Sequence, residues 1–178
     1  SSEDRLRKSI EDSRKRNEEL TRALETVIRE IRKRNARLIE EVKKVVEEVK
    51  RELERLREEG LLSDELVETV LREAERLLEE LRKIVEDNVR TADKVLEDLK
   101  RIVRRNEEES KKIEELVKAG KDIDTLIKRD RETLKESEDR VRKLLEDLRR
   151  SLRESEKEAR RLIEEIRTLL EKVAREAT

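Results

Sequence analysis

Apolar residues recur along this chain at helical spacing with almost no interruption. From position 24 the stripe reads Leu24, Val27, Ile28, Ile31, Asn35, Leu38, Ile39 and Val42, the i, i+3, i+4, i+7 pattern of an amphipathic helix. The pattern repeats after 18 residues: Ile10, Ile28 and Val46 form one series, and Leu20, Leu38 and Leu56 another. Farther along, Leu66, Ile84, Ile102 and then Leu126, Leu144, Leu162 keep the same interval. Eighteen residues make five turns of 3.6, so the spacing predicts nearly straight helices with little supercoil.

Two places break the stripes, and they hold the only glycines, Gly60 and Gly120. Gly60 suits the left-handed position just past a helix end, and Ser63 can cap the next helix with Asp64 and Glu65 in its first turn. Gly120 and Asp122 take the same two roles, followed by Asp124. Ser2, with Glu3 and Asp4, is the corresponding start of the first helix. Proline is absent, so nothing interrupts the segments between. Three helices are predicted, over 3–58, 64–118 and 122–176, each about 80 Å long. Short loops make neighbours antiparallel. The expected fold is all-α: a single-chain up-down-up three-helix bundle, one thin rod-like domain over 1–178.

Folding the chain at its loops aligns its polar core positions. Asn17 and Asn106 are placed symmetrically about the Gly60 loop, and so are Asn35 and Asn88; these are all the asparagines. Asn106 and Ser137 are symmetric about the Gly120 loop, as are Asn88 and Ser155. Two layers result, Asn17–Asn106–Ser137 and Asn35–Asn88–Ser155. The third member of the series, Leu53–Val70–Val173, is wholly apolar. One turn from the first Asn layer the same alignment gives Ser13–Ser110–Thr133, and beyond it Ile10–Ile113–Asp130. Polarity is thus expected at the Gly120 end and the middle, with a dry Gly60 end.

Composition narrows the functions open to such a fold. Charged residues make up 54% of the chain, yet Lys+Arg (48) and Asp+Glu (49) leave a net charge of -1. Interleaved signs at helical spacing mark a long helix or coiled coil. A balanced charge lacks the basic field that nucleic acid or an anionic membrane requires. Cys, His, Met, Phe, Trp, Tyr, Pro and Gln are all missing, which removes thiolate chemistry and the commonest general base and metal ligand. No apolar run approaches a membrane span or a signal-peptide core. The chain is expected to be soluble, with no membrane or nucleic-acid partner, and its localisation is unassigned. Its start at Ser1-Ser2 reads as a cloning or cleavage remnant.

The polar layers invite two readings. As structure, buried Asn penalises wrong registers and wrong oligomers, and Ser adds a rotating hydroxyl that helps close a network across three helices. As chemistry, the same residues would form a ligand or metal site, for which Asn and Ser without carboxylates are poor donors. The structural reading prevails. Asp130 is the one charged residue near a stripe centre. It is expected to accept from the hydroxyls of Ser13, Ser110 or Thr133 and to pair with an Arg, since no nucleophile or second acid stands near it. The clusters Arg14-Lys15-Arg16 and Arg32-Lys33-Arg34 point in several directions around a helix and read as solvated surface. No catalytic residue, cofactor site or metal site is assigned, and the chain is not expected to be an enzyme.

The restricted alphabet, the Arg/Glu/Lys surfaces, one glycine per loop and the repeated Asn17, Asn35, Asn88, Asn106, Ser137 and Ser155 positions resemble a computationally designed, parametric helical bundle with buried hydrogen-bond networks. The resemblance covers the whole chain and implies a scaffold or assembly component without a natural substrate. Two roles follow from it. One is a self-contained structural monomer that needs no partner. The other is an interaction component that accepts a partner helix or self-associates, with Thr21, Thr91, Ser9 and Ser151 as spare polar groups at the stripe edges.

Overall fold

The computed structural model describes residues 1–177, with the backbone alone at Ser2 and Ala177. It is a three-helix bundle: α1 (Ser2–Glu58), α2 (Asp64–Lys118) and α3 (Ile123–Ala177), with no strand among the described residues. Both turns are built by the same device. At the first, Leu61 N–H donates to Leu56 O at 2.9 Å and Gly60 N–H to Arg57 O at 3.0 Å. At the second, Lys121 donates to Leu116 O at 3.1 Å and Gly120 to Val117 O at 3.0 Å. These paired bonds satisfy carbonyls at a helix end that have no partner within the helix. They need a left-handed residue, and Gly60 (φ 71) and Gly120 (φ 80) supply it.

A Cβ at either glycine would meet nothing within 4 Å, so substitution there is opposed by backbone conformation alone. Gly60→Ala is expected to lower stability by about 1 kcal/mol, read from the urea midpoint. Gly60→Asn should lose less, because Asn tolerates the left-handed region.

Helix starts follow the capping logic in part. Ser63 Oγ accepts from Leu66 N–H at 3.2 Å, whereas Asp122 Oδ2 accepts from the side-chain hydroxyl of Thr125 at 2.8 Å and, among the described residues, from no backbone N–H. At the first helix it is Ser1 whose Oγ accepts from Asp4 N–H, at 3.3 Å. Ser2 is already helical, and its expected capping side chain lies outside the described residues. Glu3 and Asp4, Asp64 and Glu65, and Asp124 occupy the first turns, where the partial positive charge of the helix end favours them.

The chain forms two compact units, each containing a stretch of all three helices. The first comprises Ser1–Ile31 with Thr91–Arg149, and the second Arg32–Arg90 with the chain from Arg150 onward. The second holds one continuous apolar core that includes Val45, Leu53, Leu56, Val70, Leu81, Leu162, Ile166 and Val173. The Leu53–Val70–Val173 layer is buried within it. In the first unit the apolar core is divided. Leu6, Ile10, Ile113, Leu126 and Ile127 form one cluster, and Leu24, Leu99, Ile102 and Val141 another. Between them the buried side chains are polar apart from Leu134 of α3.

Candidate functional site

The polar segment of the first unit contains two hydrogen-bonded groups. In one, Asn106 Nδ2 donates to Asn17 Oδ1 at 3.0 Å, and the Ser137 hydroxyl donates to Asn106 Oδ1 at 2.6 Å. One residue comes from each helix, and all three are buried. The Asn106 amide thus links α1 and α3, giving through its nitrogen and receiving on its oxygen. Thr21, one turn along α1, donates its hydroxyl to Asn17 O at 2.9 Å, so its spare polarity is absorbed locally.

The second group centres on Asp130 of α3, which is 4% exposed. Its Oδ2 accepts from Ser9 Oγ at 2.9 Å and from Ser13 Oγ at 2.7 Å. Ser9 and Ser13 are one turn apart on α1, so both hydroxyls reach one oxygen. Ile10 and Ile113 are buried in the cluster beside this group, and a cleft of about 910 Å³ between α1 and α3 is lined by Ser9, Ser13 and Asp130.

Sequence reasoning assigned the hydroxyl donors differently. Ser13 does donate to Asp130, but its companion is Ser9, which its place at the stripe edge marks as a spare polar group for a partner. Ser110 is buried and Thr133 half-buried, and neither bonds to Asp130. Among the described residues no Arg pairs with Asp130 either. The signal for Ser9 was its i, i+4 spacing from Ser13, which places both on the face that meets α3. Ion pairs instead decorate the outside of this unit: Arg5–Asp124 at 2.6 Å, Arg129–Glu109 at 2.6 Å and Arg16–Glu138 at 3.6 Å.

In the second unit Asn35, Asn88 and Ser155 form no comparable network. Asn88 is buried, at 4% exposure, while Asn35 and Ser155 are half-buried. Among the described residues, no side-chain hydrogen bond joins them to one another. Among the described residues no fully buried side-chain nitrogen or oxygen lacks a partner, so the Asn88 amide retains contact with solvent. One sequence motif, used twice, therefore closes in the first unit and stays open in the second.

On the surface of the second unit, Arg55 is clamped by Glu52 and Glu59. Hydrogen bonds from the guanidinium to the two carboxylates, Glu52 first, raise its pKa above the ordinary value, and the same contact lowers that of Glu52. Arg76 and Glu73 behave alike, the Glu falling and the Arg rising through their shared hydrogen bond. These groups are solvent-exposed, where such pairs add little stability.

The chemical content of the site is narrow. Two hydroxyls donating to one carboxylate do not by themselves make the nucleophile–base–orienter arrangement of a catalytic centre. Among the described residues no group of three His, Cys, Asp or Glu side chains could hold a metal ion, and no helix is long and apolar enough to cross a membrane. A comparison with known protein families, curated proteins and solved structures finds no match.

Proposed function

We propose that this chain is a designed structural scaffold with no enzymatic activity, in which buried polar layers specify how the helices align. The observation that carries the reading is the closed Asn17–Asn106–Ser137 layer, with one residue from each helix and bonds of 3.0 and 2.6 Å. Sliding one helix by a turn would leave three buried polar groups unpaired, at about 1–3 kcal/mol each. Apolar layers, by contrast, tolerate a slip with modest loss. The restricted alphabet and the 18-residue repeat support a designed origin.

The triple variant Asn17→Leu, Asn106→Leu, Ser137→Ala tests this role. Its melting temperature is expected to rise, because apolar replacements remove the desolvation of three polar groups. Its amide NMR spectrum is expected to lose the single set of sharp resonances as alternative alignments become populated. A variant that is more stable and still gives one sharp set would overturn the proposal.

A second reading, an interaction component, is favoured by one specific observation: the open Asn35–Asn88–Ser155 layer.

A further inference from the structure

Beside the open layer stand two of the few exposed large apolar side chains, Ile39 (41%) and Val89 (43%). Ile39 is one turn from Asn35, and Val89 follows Asn88. At helical spacing both fall on the flanks where α1 and α2 face one another. On α1, Arg34 and Glu41 pair with Glu156 and Arg160 of α3, which marks the flank facing α3. Ile39 stands on the opposite flank of the buried Leu38, toward α2. On α2, Leu66, Val70 and Glu73 share a cleft with Leu169 and Val173 of α3. Val89 lies on the other flank, toward α1.

The charges along these flanks differ between the helices. At helical spacing the outer flank of α1 beside Ile39 carries Lys43 and Lys50, Lys43 pairing with Glu40, and that of α2 beside Val89 carries Glu75, Glu79 and Glu86. Arg82 lies among these acids and pairs with Glu79 and Glu86, and Arg72 and Arg90 stand at their outer margin. Among the described residues no ion pair joins α1 to α2 within this unit, although Arg34 and Arg160 both pair across α1 and α3. Basic and acidic edges thus face outward together.

We propose that the α1/α2 face of the second unit binds a second copy of this chain about a two-fold axis parallel to the helices. That operation sets α1 of one copy against α2 of the other and preserves height along the axis. Basic edge then meets acidic edge twice. Lys50 opposes Glu75 and Lys43 opposes Glu79, because each pair is placed almost symmetrically about the Gly60 loop. A two-fold axis across the helices would instead stack α1 on α1 and repel. Helix segments of roughly 27 residues span about 40 Å, and two adjacent helices make a face about 20 Å wide. The resulting ~800 Å² per copy is the size of a standard specific interface.

Sedimentation equilibrium on the full chain at micromolar concentration and low salt is expected to give twice the 21.4 kDa chain mass, with the dimer weakening as salt rises. Ile39→Lys with Val89→Lys should weaken it about tenfold or more without loss of helix content, since both sites are exposed. The decisive pair is Lys43→Glu/Lys50→Glu and Glu75→Lys/Glu79→Lys. Each variant alone should be monomeric, having two like-charged contacts, and an equimolar mixture should form a heterodimer. Pairing of these charges inside one chain predicts no such rescue on mixing. A wild-type chain at single-chain mass throughout, a dimer indifferent to the Ile39 and Val89 changes, or variants that fail to pair on mixing would each overturn the inference.

Discussion

Leu81→Ala is expected to lower the unfolding free energy by about 3–5 kcal/mol, the largest effect of any single truncation proposed for this chain. Leu81 has 0% exposure and sits in the continuous core of the second unit. Its neighbours are held by three helices, so the vacated volume cannot collapse without moving a backbone. The partly buried Leu78, three residues earlier on the same helix, provides the control. Leu78→Ala should lose about half as much, because fewer packing contacts disappear and water can fill the space. Urea denaturation with an unchanged slope measures both. Equal losses at the two positions would show that burial in the continuous core does not set the cost of truncation in this unit.

The second large effect concerns Asp130. Ser9→Ala with Ser13→Ala should destabilise the chain by about 3–5 kcal/mol, since each hydrogen bond to an ionised acceptor contributes about 1.5–3 kcal/mol. The truncations themselves remove almost no apolar area, so the loss reports a buried carboxylate left without donors. Adding Asp130→Leu to the double variant should restore stability to the original level or above it, because a buried charge and its desolvation are then gone. Asp130→Leu alone should raise the melting temperature by less than that. The two hydroxyls it orphans can turn back onto carbonyls one turn earlier in α1. Thermal melts of the single, double and triple variants form a closed cycle. If the triple variant remains as unstable as the double, the carboxylate is not the group that the serines serve.

Much of the fold was legible because its signals are local. Gly60 and Gly120 were readable as turns since only glycine takes a left-handed conformation without strain, and the helix bounds follow to within a residue or so. Asn17, Asn106 and Ser137 were legible as partners for a different reason. Short loops make antiparallel neighbours equidistant from the turn, so positions in sequence convert directly into height along the helices. Ser9 escaped that reasoning. Height alone does not say how far a side chain reaches, and a serine one turn from the expected layer bends to the same oxygen as Ser13.

The two Asn layers separate what sequence can determine from what it leaves open. Their residue types, spacing and symmetry about the loops are the same, and sequence by itself determined the three helices, their direction and the height of every layer. Only the tertiary structure decided that Asn17, Asn106 and Ser137 close a network while Asn35, Asn88 and Ser155 do not. It likewise left Ile39 and Val89 exposed beside the open layer. The physical reason is that helical periodicity fixes angle and rise to fractions of a turn, whereas a hydrogen bond is made or lost over less than 1 Å. That last distance depends on how side chains from all three helices fill the space around it.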